Sequence, residues 1–271
     1  MAGRKYKLGF VGAGNMAEAI CRAVLGNNIS SADELTAYDV AEPRRTLFSR
    51  KFGVELSSDN ASVVHQSRTV LLAVKPQQIG DVLKEVRSAI TANHLIISVA
   101  AGISTAYIEN SLEKPVPVVR VMPNTPLLVG CGMTALCKGR YATDEHLELA
   151  SEIFGSAGIA MITEEDKMDA VTAISGSGPA YFFYLIEAMI EAGAALGLSP
   201  RDTLTLAAQT CLGAGKMILQ TQLDPTELRR RVTSPGGTTE AALRIIEAKS
   251  TKGIIVEAIK AAAEKSKQLG R

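Results

Sequence analysis

The sequence predicts an α/β chain in two parts, a doubly wound parallel sheet followed by an all-helical C-terminal domain. Three observations predict it. From residue 7 to about residue 162, short β-branched or apolar runs alternate with longer helical stretches. Those short runs are apolar on both faces, as strands must be when helices cover the sheet on each side. After Glu164, Glu165 and Asp166 the strand-like runs stop, and helical periodicity holds to the end. The shift places a boundary near residue 165, giving domains of residues 1–165 and 166–271.

The strand-like runs cover residues 7–11, 35–38, 69–74, 94–99 and 118–121. Helical stretches lie between them at 16–25, 43–51, 76–90 and 105–111. Beyond the boundary, breaks at 176–178, 198–200, 223–225, 234–237 and 249–253 mark off about six helices. Residues 179–198 are apolar enough to suggest a membrane span, but Glu187 and Glu191 sit one helical turn apart inside them. A packed helix is the expectation.

Charge and composition remove several function classes. With 29 basic and 28 acidic side chains in 271 residues, the net charge is +1 and neither half carries a charged tail. Nucleic acid and anionic membrane surfaces need uncompensated Lys and Arg, so neither is an expected partner. Cys21, Cys131, Cys137 and Cys211 are scattered, with no C-x-x-C pair and no His at ligand spacing, so no metal is expected. The apolar stretch near the N-terminus is too short for a secretory signal, which predicts a cytoplasmic protein with reduced thiols. There are three His and no Trp. Four of the 12 Phe and Tyr form the single run Tyr181, Phe182, Phe183, Tyr184, the only aromatics after residue 165. Residues 166–271 hold 17 alanines, too little bulk for a private core, so their apolar helix faces are expected to meet a partner.

The first strand ends in Gly12-Ala13-Gly14-Asn15-Met16-Ala17, a G-x-G-x-x-A directly before a helix. The first glycine permits the tight turn, the second admits a pyrophosphate to the backbone, and the small third residue lets helix and strand pack. Free N–H groups at the helix start face the anion. Strand, turn and helix agree, so a Rossmann-type dinucleotide site is predicted. At the end of the second strand, Asp39 suits ribose hydroxyls and repels a 2′-phosphate, whereas Arg44 and Arg45 attract one. The two signals leave NADPH and NADH both open. Lys75, in the loop Ala73-Val74-Lys75-Pro76 at the carboxyl edge of the sheet, is a candidate acid or a cation near the cofactor. The small residues of Val99-Ala100-Ala101-Gly102 suit a nicotinamide wall, and Asn124 is a candidate amide contact.

Two more glycine loops introduce helices in the second part: Ser175-Gly176-Ser177-Gly178-Pro179-Ala180 and Ser234-Pro235-Gly236-Gly237-Thr238-Thr239. Hydroxyls, glycines and free N–H groups at a helix start suit either a small carboxylate or ordinary capping.

Taken in order, GFVGAGNMAEAI, LAVKPQ, VRVMPNTP, SGSGPAYFFYLIEAM and VTSPGGTTEAAL resemble pyrroline-5-carboxylate reductase over nearly the whole chain. The resemblance implies reduction of the cyclic imine of 1-pyrroline-5-carboxylate to L-proline by hydride from NADPH or NADH. By similarity, Val11, Gly12, Ala13, Gly14, Asn15 and Met16 hold the pyrophosphate. Asn60, Ala73, Val74, Lys75 and Pro76 line the cofactor, and Ala100, Ala101 and Gly102 approach the nicotinamide. Backbone N–H groups of Gly237 and Thr238, next to Gly236, take the substrate carboxylate, while Thr239, the implied catalytic residue, reaches the ring nitrogen. Val232 and Ser177 border the same pocket. The family also implies a homodimer through the C-terminal helices, assembling into a larger ring such as a decamer. One departure concerns cofactor choice: Tyr38-Asp39 stands where many members have a small hydroxyl or amide residue.

An imine carbon is already electrophilic, so the chemistry needs orientation and one proton rather than a tuned His. A rival hydroxyacid dehydrogenase of the same architecture calls for a lysine on the first long helix after the boundary. Lys167 comes before the SGSGPAY loop and Lys216 a helix too late. A dinucleotide sensor without chemistry has no use for an intact SPGGTT loop.

Overall fold

β1 (Tyr6–Val11), buried along nearly its whole length, lies inside an eight-stranded sheet in the computed structural model, which describes residues 5–269. Then follow α1 (Asn15–Gly26), β2 (Leu35–Tyr38), α2 (Glu42–Phe52), β3 (Glu55–Leu56), α3 (Asn60–Gln66) and β4 (Ser67–Leu72). The second half of the sheet adds α4 (Ile79–Val86), β5 (Leu95–Ser98), α5 (Thr105–Leu112), β6 (Val118–Met122), β7 (Gly132–Lys138), α6 (Asp144–Gly155) and β8 (Gly158–Ile162). Spatial order is β3-β2-β1-β4-β5-β6-β7-β8, and β1 to β6 are parallel. The first six strands thus have the 3-2-1-4-5-6 order of a dinucleotide-binding sheet, with its switch point between β1 and β4.

The wholly parallel sheet expected from the sequence is corrected at one edge. β7 runs antiparallel to β6, and β8 pairs parallel to β7. Residues 123–131, which join β6 to β7, hold only a 3-10 turn and supply no crossover helix, so the chain reverses. β7 (GMTALCK) holds Thr134 as its β-branched residue, and β8 (GIAMI) is short, with Gly, Ala and Met around its two Ile, which hid both from a propensity reading. β3 escaped notice because it is two residues long with both side chains exposed.

Alternation along each strand feeds two core layers. Phe10 packs on one face with Ile20, Phe48 and Phe154 beneath α1, α2 and α6. Its neighbour Val11 points the other way, to Leu72, Leu83, Ile96 and Ile108 beneath α3, α4 and α5. Edge-to-face contacts link Phe10 to Phe48 at 5.7 Å and Phe48 to Phe52 at 5.6 Å.

The chain forms two compact units, one of residues up to Ser177 with those from Ala262 onward, the other Gly178–Ala261. In the first, α7 (Met168–Val171) runs into a π-helical turn, Thr172–Gly176. Arg120, buried on β6, pairs with Glu165 at 3.0 Å, and Asp169 accepts from Ser266 Oγ at 2.6 Å.

The second unit holds α8 (Gly178–Ala195), α9 (Pro200–Thr221), α10 (Pro225–Arg231), α11 (Thr238–Ala248) and most of α12 (Thr251–Leu269). α8 and α9 approach so closely that a Cβ on Gly193 would lie 2.4 Å from the Thr203 side chain. Bulk is displayed rather than buried: Tyr184 is 76% and Leu196 82% exposed, with Phe182 and Phe183 more than half exposed. The alanine-rich composition thus leaves an apolar surface on these helices. Among the described residues, no helix is long and apolar enough to cross a membrane.

Candidate active site

Gly12 adopts φ +92°, and a Cβ there would lie 2.9 Å from the backbone carbonyl of Ala73 and from Val74 Cγ1. Only glycine satisfies both the dihedral and the space. Its N–H donates to Tyr38 O at 2.9 Å, while Ala73 N donates to Val11 O at 2.8 Å and Val99 N to Leu72 O at 3.1 Å. These bonds draw the carboxyl ends of β1, β2, β4 and β5 together, where ligands bind in such sheets. Gly14 has open space where a Cβ would be, and α1 begins on it with no side-chain cap. The first-turn N–H groups of α1 are therefore free for an anion. Ala17, fully buried, supplies the close helix contact expected of the third small residue.

Two side chains from the second strand and helix clamp this loop. Asp39 accepts from Ala13 N at 2.7 Å and from Ala41 N at 2.8 Å, so each carboxylate oxygen already holds a backbone donor. Arg44 Nε donates to Ala13 O at 2.5 Å, and its Nη2 to Glu18 at 3.0 Å. Arg45 turns back on its own helix start, donating to Asp39 O at 2.6 Å and Val40 O at 3.0 Å, with its guanidinium 5.7 Å from the centre of the Tyr38 ring. Glu18 had no place among the sequence candidates, since an acidic residue in a first helical turn reads as a solvated dipole partner. Hydrogen bonds from Lys51 and Arg44 hold its carboxyl below the usual range against the opposing effect of burial.

The remaining nucleotide-side candidates are distributed unevenly. Asn60 opens α3, buried, with its amide donating to Glu85 at 2.9 Å. Ala73 and Val74 are half-buried beside the glycine loop, and Lys75 is exposed. Ala100 is buried and its N–H donates to Ser98 Oγ at 3.3 Å, while Gly102 turns the chain into α5 with φ +79°. Asn124 uses both ends of its amide within the protein: Oδ1 accepts from Met133 N at 2.9 Å, and Nδ2 donates to Ser175 O at 3.2 Å and Ser175 Oγ at 3.3 Å. A dinucleotide fits this sheet edge, because an uncapped helix start, an open Gly14 and two nearby guanidinium groups match a pyrophosphate and an adenosine ribose.

In the second unit, Gly236 has φ +72° and its N–H donates to Glu240 Oε2 at 2.8 Å. Gly237 N–H closes the turn on Ser234 O at 3.0 Å. Gly237 is also the N-cap of α11 and brings no side-chain cap, so the free first-turn donors begin at Thr238 and Thr239. Glu240, on the third residue of the helix, was missed because a carboxylate there reads as ordinary capping. Val232 is exposed at the end of α10, whereas Ser177, in the first unit, donates its N–H to Thr172 O at 2.8 Å in the π-turn. A Cβ at Gly176 would lie 2.3 Å from Met122 Cε, the far end of a flexible side chain that could move aside.

Among the described residues, no group of three or more His, Cys, Asp or Glu is placed to hold a metal ion. α8, the first long helix beyond the sheet, carries no lysine.

Comparison with known proteins finds relatives over nearly the whole chain. Residues 165–269 match a family model described as pyrroline-5-carboxylate reductase dimerisation, and residues 7–102 match one described as NADP oxidoreductase, coenzyme F420-dependent. The pyrroline-5-carboxylate reductase of Methanosarcina acetivorans is 41% identical over 98% of both chains. Two solved structures are similar over nearly their full length. That of a pyrroline-5-carboxylate reductase from Coxiella burnetii has a TM-score of 0.89 and 35% identity, covering 98% of this chain and 99% of that one. The Plasmodium falciparum pyrroline carboxylate reductase, solved with NADP bound, has a TM-score of 0.90 and 32% identity, covering 99% of each chain.

Proposed function

The chain belongs to the pyrroline-5-carboxylate reductase family, and on that footing we propose that it reduces the C=N bond of 1-pyrroline-5-carboxylate to give L-proline, the last step of proline synthesis. The observation that carries this function is the pairing of two uncapped helix starts in one chain, α1 behind Gly12-Ala13-Gly14 and α11 behind Gly236-Gly237. The first suits a pyrophosphate and the second a small carboxylate.

NADPH or NADH, when bound, supplies the hydride. The protein's own tasks are holding, orienting and giving one proton. Val11, Gly12, Ala13, Gly14, Asn15 and Met16 hold the pyrophosphate through the loop and the start of α1. Ala73, Val74 and Pro76 with Ala100, Ala101 and Gly102 form small-residue walls at the sheet edge. Free N–H groups at the start of α11, with Gly236, Gly237 and Thr238 shaping the turn, take the substrate carboxylate. That hold fixes the ring, and the Thr239 hydroxyl delivers or relays a proton to the ring nitrogen, so that hydride at carbon and proton at nitrogen complete the reduction. A neutral hydroxyl suffices because the imine carbon is already electrophilic, in keeping with a site without histidine.

The functional division follows residues 1–165 for the nucleotide and 166–271 for substrate and dimerisation, supported by a dimerisation match that starts at residue 165. Exposed apolar residues on α8 and α9 support burial against a second copy, and we infer that such dimers join in a ring such as a decamer. Four unpaired cysteines support a cytoplasmic location. Loss of NAD(P)H absorbance on adding 1-pyrroline-5-carboxylate tests the function. Cofactor binding without turnover of either NADPH or NADH would sink it, and a monomer by light scattering at assay concentration would sink the assembly.

A further inference from the structure

Beside the glycine loop, one carboxylate carries three cations. Glu18, with 13% of its side chain exposed, lies 2.9 Å from Lys51, 3.0 Å from Arg44 and 3.6 Å from Arg22. Lys51 and Arg22 are about half exposed, at 45% and 50%, so solvent and salt screen their charges. Arg44 is only 25% exposed, and it alone of the three also touches the loop, through Ala13 O. Its guanidinium is thereby set at the start of α2, where a 2′-phosphate is recognised when such a fold takes the phosphorylated dinucleotide. Of its five N–H donors two are engaged, which leaves others for an anion, but its charge is already met by a carboxylate. The other nearby acid is not equivalent: both oxygens of Asp39 are bonded to backbone N–H groups.

We propose that Glu18 is a specificity-determining residue for the cofactor. As the counter-ion of Arg44 it competes with a 2′-phosphate for that guanidinium. It thereby holds the preference for NADP over NAD below the level that Arg44 and Arg45 alone would set. This rests on the dinucleotide reading of the first unit. Glu18 touches no part of the nucleotide in this account and acts by positioning and neutralising Arg44.

The test is calorimetric titration of wild type and Glu18→Gln with NADP and with NAD. The amide removes the charge and keeps one acceptor oxygen, which can serve Arg44, while its NH2 takes the place of the oxygen that faced Lys51 and Arg22. The expected result is NADP binding tightened by about three- to tenfold, with NAD changed by less than about twofold, and a gain that shrinks as salt rises. In an Arg44→Met background the same substitution is expected to leave the ratio of the two dissociation constants unmoved. If Glu18→Gln loses the wild-type melting transition, Glu18→Ala, which suits a helix, is read in the same way. Equal changes for both nucleotides, or a shift that persists without Arg44, would overturn the proposal. Wild type that binds neither nucleotide would instead bring down the dinucleotide reading itself, and this proposal with it.

Discussion

The backbone N–H of Ala13 lies 2.7 Å from a carboxylate oxygen of Asp39, so the glycine loop is tied to the end of the second strand before any ligand is considered. Asp39 therefore holds the shape of the glycine loop, whatever it offers a ribose.

Replacing Asp39 by alanine leaves the N–H of fully buried Ala13 without its acceptor, at a cost of about 1–3 kcal/mol. Asp39→Ala is expected to weaken NAD and NADP alike, by about tenfold, with a lowered melting temperature. Calorimetric titration with each nucleotide measures this. Weakening confined to NAD would show that the carboxylate serves the ribose and leaves the loop unaffected.

Thr239 is half-buried in the first turn of α11. Thr239→Ala is expected to lower kcat by about tenfold or more while the melting temperature and cofactor affinity stay at wild-type values. Thr239→Ser, which keeps the hydroxyl, is expected to recover most of the rate. Steady-state kinetics beside a thermal melt separate the two effects, and wild-type turnover in the alanine variant would remove Thr239 from the mechanism.

Gly193 allows α8 to meet α9, since a Cβ would lie 2.4 Å from Thr203 Cγ2 and Oγ1. Gly193→Ala is expected to destabilise the protein by about 1–3 kcal/mol through overpacking. Thr203→Ala removes those two atoms and leaves Thr203 Cβ, 2.9 Å away, so the double variant should regain part of the loss. Urea denaturation of the four proteins gives the coupling; strictly additive losses would place the strain elsewhere.

Burial pushes the thiols of Cys21 and Cys137 up to about 12, from an ordinary value of 9.0. Because folding raises these values, the stability they contribute is complete below about pH 9 and is lost as pH climbs toward about 12. The urea midpoint is expected to fall across that window. Near neutral pH, alkylation followed by peptide mass spectrometry should mark exposed Cys131 and spare Cys21 and Cys137 until denaturant is added. Prompt labelling of either buried thiol in the native protein would contradict this.

Much of the architecture was legible along the chain. The loop after β1 announces itself because turn, helix start and small packing residue occupy six consecutive positions. The SPGGTT loop is legible for the same reason, with its positive φ at Gly236 and its uncapped helix start. Less legible were β7, whose Gly, Met, Ala and Cys carry little strand preference, and the five-residue β8, both held by pairing with a neighbour already in place. Asn124, a candidate contact from the sequence, illustrates the same limit: its amide also bonds Ser175, 51 residues on.

The βα alternation, the glycine loops at 12–17 and 234–239, the helical second part and its shortage of core-forming bulk were all written along the chain. Each depends on residues adjacent in the chain, through dihedral preference, period and composition. Only the tertiary structure decided that Asp39 and Arg44 grip the two sides of Ala13 from 26 and 31 residues away, and that Glu18 neutralises the second of them. No local pattern encodes those contacts, because the pairing of β1 with β2 and the packing of α1 beside α2 bring the charges together.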